Sequence, residues 1–455
     1  MTAPEVLIVG LDSMPPAIAF DTCAAIMPNL TRLRADGASG PLRSTDPPVT
    51  CPAWISMTTG RPPGELGIYG FRRRQTGTYA MSLVSAADIT HPRIWDLADA
   101  AQKRSVVVSV PLTWPPVAGP RTALTSCFLT PSDRAAFTAG CADATELRTL
   151  FGPYIPDVED FRGADVHATI DRCAALTKQH GAIFRHLIAR HRPHFAMMVD
   201  LGPDRFHHAC LRHVMATHPD FAPDHRALDY YRLLDNELGA TLALAGPDTT
   251  VMVVSDHGVK PLYGAVCINE LLLREGLLVL RDGPPPVPAP LSALNVNWDR
   301  TVAFGEGGYH GRIFLNRTGR DPGGIVTPDR APALIDQLRR LLTALTGPDG
   351  HPMHNVVFEP SEKYGDTYAG MPPDLTVYFD NLNRRSAGTV GHGTIFLPCN
   401  DTGTDHANHD FDGIFALLGP GVQRGERRAS ILDIFATALH RLGIAAPAGT
   451  SGQVL

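Results

Sequence analysis

A chain of 455 residues is too long for one simple core and points to one large domain with insertions, or to two domains. Its 44% hydrophobic and 19% charged residues fit an ordinary globular enzyme, and a net charge of −6 excludes the basic field that extended nucleic-acid binding requires. The eight cysteines are scattered without a CxxC pair, which excludes a disulfide framework or structural zinc cluster and reads as free thiols of a reducing cytoplasm.

The first element is a strand, VLIVGLD (6–12), reached without a basic leader. PNLTRLRAD (28–36) reads as a helix, with Pro28 near its start and Gly37 just past its end. A second strand, SVVVSVP (105–111), precedes a long helical pattern over 168–192, then FAMMVDL (195–201), a helical pattern over 225–245, and TVMVVSD (250–256). Every apolar run is of strand length, far below the roughly 20 residues that cross a bilayer, so no membrane partner is expected and the location reads as cytoplasmic. Residues 281–300 (RDGPPPVPAPLSALNVNWDR) are Pro-rich and read as a loop, and 301–390 mix strand, helix and turn signals. GIFALLGPGV and ILDIFATALHRLGI return to strand, turn and helix and would complete the main sheet. The expected fold is α/β, a central and mostly parallel sheet sandwiched by helices. The expected catalytic domain comprises 1–259 and 391–455, with 260–390 an inserted cap.

Three strands end in aspartate: Asp12, Asp200 (just before the loop carrying Asp204), and Asp256. In open α/β sheets ligands gather beyond the carboxyl ends of the strands, so these acids are placed to converge. In DRFHH, Asp204 and His208 are four apart and would share one helix face. SDHG (255–258) sets His257 directly after Asp256, and GTDHANHDFDGIF (403–415) offers His406 and His409. Each residue alone is as well explained as a cap, a turn former or a surface group. Together, their mixture of carboxylates and imidazoles suits zinc, or manganese, better than magnesium or calcium, and their number suits two divalent ions. Thr50, in DPPVTCPAW, reads as a loop threonine presented to such ions, where its hydroxyl would become a nucleophile.

The order VGLDS, TCPAWISMTTGRPP, DRFHH, SDHG, HDFDGIFALLGPGV, together with INELLLREGLL and GRIFLNRTGRDPGGIV, resembles the alkaline phosphatase superfamily. The likeness is greatest to its type I phosphodiesterase and nucleotide pyrophosphatase branch. The resemblance implies Thr50 as a nucleophile forming a phosphothreonine. It also implies one metal held by Asp12, Asp256 and His257, and a second by Asp204, His208 and His409, with His406 the substitute. Two positions depart from that branch. Ala53 stands where an Asn commonly helps hold a phosphate oxygen, which removes a reason to expect a nucleotide substrate, and Leu66 stands near the usual place of a histidine.

The expected activity is hydrolysis of a phosphodiester or pyrophosphate in a small molecule, with phosphomonoester hydrolysis the rival. Lys260, Arg205 and Trp54 are the candidates for substrate contact. A phosphomutase or a silent binding protein of the same fold fits less well, and a sulfatase does not fit because Cys51 lacks the C-x-P-x-R context. The sequence leaves the oligomeric state open.

Overall fold

The computed structural model describes residues 3–455, which divide into two compact units. The first comprises residues 3–66, Val84–Val259 and His409–Leu455. The second comprises Gly67–Leu83 and Lys260–Asn408, and so includes residues 67–83 and 391–408, which the sequence reading placed in the catalytic domain.

The first unit is built on one large sheet. Its strands are β1 (Val6–Leu11), β2 (Ala38–Arg43), β3 (Ser105–Val108), β4 (Thr122–Thr125), β5 (Thr138–Gly140), β6 (Phe195–Asp200), β7 (Thr250–Val254) and β8 (Asp412–Leu418). They lie in the order β2-β8-β7-β1-β6-β3-β4-β5, with the two-residue strand Gly425–Glu426 beyond β2. The centre, β7-β1-β6-β3-β4, is parallel, and β8 and β5 pair antiparallel at its margins. β1, β3, β6 and β7 are buried along their whole length, which is why they read as continuous apolar runs rather than alternating ones. The mostly parallel, helix-flanked α/β fold expected from the sequence is the fold observed.

Six helices of this unit carry or brace the strand-end residues: α1 (Pro28–Asp36), α2 (Thr50–Thr59), α3 (Val166–His191), α4 (Gly202–Val214), α5 (His225–Leu242) and α6 (Ile431–Arg441). α2 corrects an expectation, since Thr50 is the first residue of a helix and not part of a loop. Pro52 is tolerated there because the first-turn amide it lacks would have no partner within the helix. Gly60, in the left-handed conformation at φ 66°, ends the helix. All ten residues of α2 are buried, and Trp54, Met57, Phe435 and Leu439 join the sheet residues Val6, Ile8, Met197 and Met252 in one core. Burying side chains of this size contributes about 1.5–3 kcal/mol each.

The second unit carries a four-stranded antiparallel sheet, Val356–Phe358, Leu375–Tyr378, Gly311–Leu315 and Ala303–Glu306, with its own core around Ile313, Phe314, Leu315, Leu338 and Val377. The Pro-rich segment expected as a loop lies here and carries the short strand Ala289–Pro290, the single turn Leu291–Ala293 and a bridge from Val296 to Leu280. Among the described residues all eight cysteines are free, and no helix is long and apolar enough to cross a membrane.

Candidate metal centre

The parallel register brings the strand ends level. Leu11 lies opposite Asp200, and Gly10 opposite Val254, so Asp12 and Asp256 emerge side by side just beyond their strands. α4 begins two residues after β6, with Pro203 in its first turn. It places Asp204 and His208 on one face, Oδ1 to Nε2 3.6 Å apart. His257 follows Asp256, Thr50 opens α2, and His409 belongs to the short strand Ala407–Asp410.

All seven residues are at most 2% exposed, and they converge. His257 Nε2 lies 3.6 Å from Asp12 Oδ1 and 3.3 Å from Asp256 Oδ2. His409 Nε2 lies 3.7 Å from Asp204 Oδ1, and Thr50 Oγ1 lies 3.3 Å from His257 Nε2. Ligand atoms within 4.8 Å of one another form two triples, Asp204–His208–His409 and Asp12–Asp204–His257, with Asp204 common to both. Separations of 3.3–3.7 Å are long for hydrogen bonds. They match the roughly 3.3–3.5 Å between two atoms that bind one ion tetrahedrally at about 2.0–2.2 Å.

The donor set fits a divalent cation on a further ground. Each carboxylate has one oxygen tied from behind. Trp54 Nε1 donates to Asp12 Oδ2 (2.7 Å), the Ser13 amide to Asp256 Oδ1 (3.2 Å), and Arg205 Nη1 to Asp204 Oδ2 (2.8 Å). The other oxygens, Asp12 Oδ1, Asp204 Oδ1 and Asp256 Oδ2, are buried and have no hydrogen-bond partner among the described residues. A buried polar atom left so costs about 1–3 kcal/mol, and more when charged, unless a cation meets it. The imidazoles are held the same way. Nδ1 of His257 is 3.0 Å from the Gly258 carbonyl and Nδ1 of His409 is 2.9 Å from the Pro48 carbonyl. Each Nδ1 therefore carries the proton, and each Nε2 turns its lone pair toward the carboxylates.

Electrostatics point the same way. Burial, then repulsion from Asp256 and Asp204, holds the Asp12 carboxyl well above the usual range, and burial does the same to Asp256. Burial pushes Asp204 upward too, but the neighbouring His208 and the Arg205 guanidinium outweigh it and hold this carboxyl below its ordinary value. Burial depresses His257 to about 4 and His207 to about 3, so both are neutral at physiological pH. A neutral His257 among crowded carboxylates is what a metal needs, and a bound cation reverses the repulsion.

Of the remaining candidates, Trp54 and Arg205 brace the carboxylates. Trp54 is fully buried with its one polar atom on Asp12, so it supports that carboxylate from within the core and does not face a substrate. Arg205 is 6% exposed and directs its donors to Asp204 and, through Nε and Nη2, to Asp157. Lys260 and His406 fall in the second unit. Lys260 Nζ donates to the Asn381 carbonyl (2.9 Å) and the His406 carbonyl accepts from the Leu262 amide (3.2 Å). Sequence reasoning missed Ser13, Asp157 and His207. The doubled histidine of DRFHH was the one visible sign of His207, and nothing in the sequence distinguishes Asp157.

A helix-flanked, mostly parallel sheet with a buried carboxylate–imidazole cluster able to hold divalent cations suits a metal-dependent hydrolase of phosphoric esters. The chain belongs to the type I phosphodiesterase / nucleotide pyrophosphatase family, whose sequence profile matches residues 6–411. Among solved structures, the fold is similar to that of phosphonoacetate hydrolase from Sinorhizobium meliloti 1021, in complexes with phosphonoformate and with phosphonoacetate. Each comparison has a TM-score of 0.64 at 19% identity and covers 97% of this chain and 96% of the other. No curated protein matches the chain significantly in sequence.

Proposed function

We propose that the protein cleaves a phosphodiester or pyrophosphate bond through a covalent phosphothreonine on Thr50. In this reading Asp12, Asp256 and His257 hold one divalent ion and Asp204, His208 and His409 a second, zinc first and manganese as the alternative. Such ions, when bound, lower the pKa of a hydroxyl and neutralise the charge of a phosphoryl group in displacement. The observation that carries the reading is that each of three buried carboxylates has one oxygen tied behind and the other aimed at an imidazole Nε2, next to the Thr50 hydroxyl.

Thr50 suits the nucleophile's role by position. It stands at the N-terminus of α2, where Val49 gives no side-chain cap and the helix end favours an anion. Its Oγ1 bonds to phosphorus as the bond to the leaving oxygen breaks, and the leaving group departs with the electron pair and the proton Thr50 gives up. Water then bonds to phosphorus, the Thr50 Oγ1–phosphorus bond breaks, and a proton of that water passes to Thr50. Arg205, engaged by Asp204 and Asp157, is not placed to balance the extra charge of a monoester, which favours the diester or pyrophosphate reading. The eight free thiols suit a reducing compartment.

The test compares bis-p-nitrophenyl phosphate with p-nitrophenyl phosphate for the parent and Thr50→Ala, with zinc or manganese supplied. The parent is expected to prefer the diester, and Thr50→Ala to lose about 10³-fold or more in kcat, as when a covalent nucleophile is removed. Turnover by Thr50→Ala at the parent rate would remove Thr50 from the mechanism, and a monoester preference would overturn the substrate class.

A further inference from the structure

Behind the centre, one side chain joins segments that bear the proposed ligands, and the proposed chemistry does not use it. His207 lies on α4 between Asp204 and His208, fully buried. Its Nδ1 is 2.7 Å from the Ser13 hydroxyl and its Nε2 is 2.7 Å from the Tyr231 hydroxyl. Ser13 directly follows Asp12, and its amide donates to Asp256 Oδ1. Tyr231 is fully buried on α5, so the far end of the chain is fixed in the core. The run Tyr231–His207–Ser13 therefore reaches the turn after β1, the carboxylate after β7 and the helix carrying Asp204 and His208.

Ser13 sits at φ 65°, in the left-handed region. An L-residue there is strained in a way that glycine is not. What serine supplies at this position is its hydroxyl, and the hydroxyl goes to His207. A neutral imidazole offers one donor and one acceptor, and a hydroxyl can play either part, so the chain Ser13–His207–Tyr231 is satisfied in either tautomer.

We propose that His207 is a positioning residue whose bridge from Ser13 to Tyr231 sets the affinity of the centre for divalent cations. The proposal rests on the metal reading of the proposed function. The Asp204 carboxylate lies within reach of both His208–His409 and Asp12–His257, so a shift of α4 against the Asp12–Ser13 turn changes the spacing of the two proposed ligand sets. Groups that orient metal ligands from behind typically govern affinity by about 10- to 100-fold.

The test titrates Zn²⁺, and separately Mn²⁺, calorimetrically into chelator-stripped full-length protein, and records the melting temperature of the stripped protein alongside. Ser13→Gly keeps the backbone amide and the left-handed turn and removes the hydroxymethyl group. Relief of the strain at φ 65° offsets the lost bond to His207, so its stripped form is expected to melt near the parent's temperature while its cation affinity falls about 10- to 100-fold. A purely structural role would lower cation affinity only in step with the melting temperature. His207→Gln, which cannot span both hydroxyls, is expected to lose affinity by a similar factor; if it does not fold, Ser13→Gly decides alone. Parent-like affinity in Ser13→Gly overturns the proposal, as does parent-like affinity in a folded His207→Gln. A parent protein that takes up neither ion overturns the metal reading, and this proposal with it; parity between parent and variants overturns this proposal only.

Discussion

Asp12 shows how much of the centre is decided one residue at a time. Its Oδ2 accepts the Trp54 indole proton, which leaves Oδ1 turned toward His257. The Trp54 ring in turn is pressed against Gly10, where a Cβ would come within 2.9 Å of Val199 and closer still to the indole. The indole therefore has little freedom to follow the carboxylate if it moves. Trp54→Phe keeps an aromatic ring but removes the donor, and is expected to lower divalent-cation affinity about tenfold or more, measured by calorimetric titration. Equal affinity in the variant would show that Asp12 holds its orientation without the indole.

At the scale of elements, α4 is placed by its first residue. A Cβ on Gly202 would stand 2.6 Å from Thr177 Oγ1 and 2.9 Å from Asp200 Oδ1, and closer still to the Tyr230 hydroxyl. The Gly202 amide also donates to Asp200 Oδ1 at 2.9 Å, which fixes the helix start against the end of β6. Gly202→Ala is expected to cost about 1–3 kcal/mol, read as a lower urea midpoint at unchanged slope, and to weaken cation binding because Asp204 is two residues on. A loss of stability without a loss of cation affinity would mean that Asp204 tolerates the shift. The same elements show what a sequence can and cannot reveal. Strands ending in aspartate and the four-residue step from Asp204 to His208 are local patterns, so they were legible. α2 was not recognised as a helix, because all ten of its residues are buried and no polar face marks a helical period. His409 was chosen over His406 only through family order. Ser13, His207 and Tyr231 meet across separations of 194 and 24 residues, a contact that no local pattern encodes.

For the molecule as a whole, the centre links metal to protons. Without metal, the raised carboxyls of Asp12 and Asp256 hold protons at pH values where an unfolded aspartate, at about 3.9, has lost them. Their contribution to folding is thus present at low pH and is lost as pH rises through the raised values. Cation ligation needs them ionised, so binding expels protons and affinity rises with pH from about 4 upward. His257, depressed to about 4, is neutral near pH 6 with or without the cation and adds nothing to this release. Calorimetry over a pH series in buffers of different ionisation enthalpy is expected to show proton release on filling the centre, falling away as pH rises through the raised carboxyl values. Release of none would mean that the carboxyls are already ionised in the stripped protein.

The hydrogen bond from His409 to the Pro48 carbonyl closes the centre across 361 residues of chain. At about 5–20 residues per second, a ribosome needs roughly 20–70 s to make that stretch. During this interval Thr50, Asp204, His208, Asp256 and His257 emerge in turn after Asp12, and the last imidazole follows them all. The last imidazole of the proposed ligand set is therefore made well after the others, and the nascent chain holds only part of that set throughout this interval.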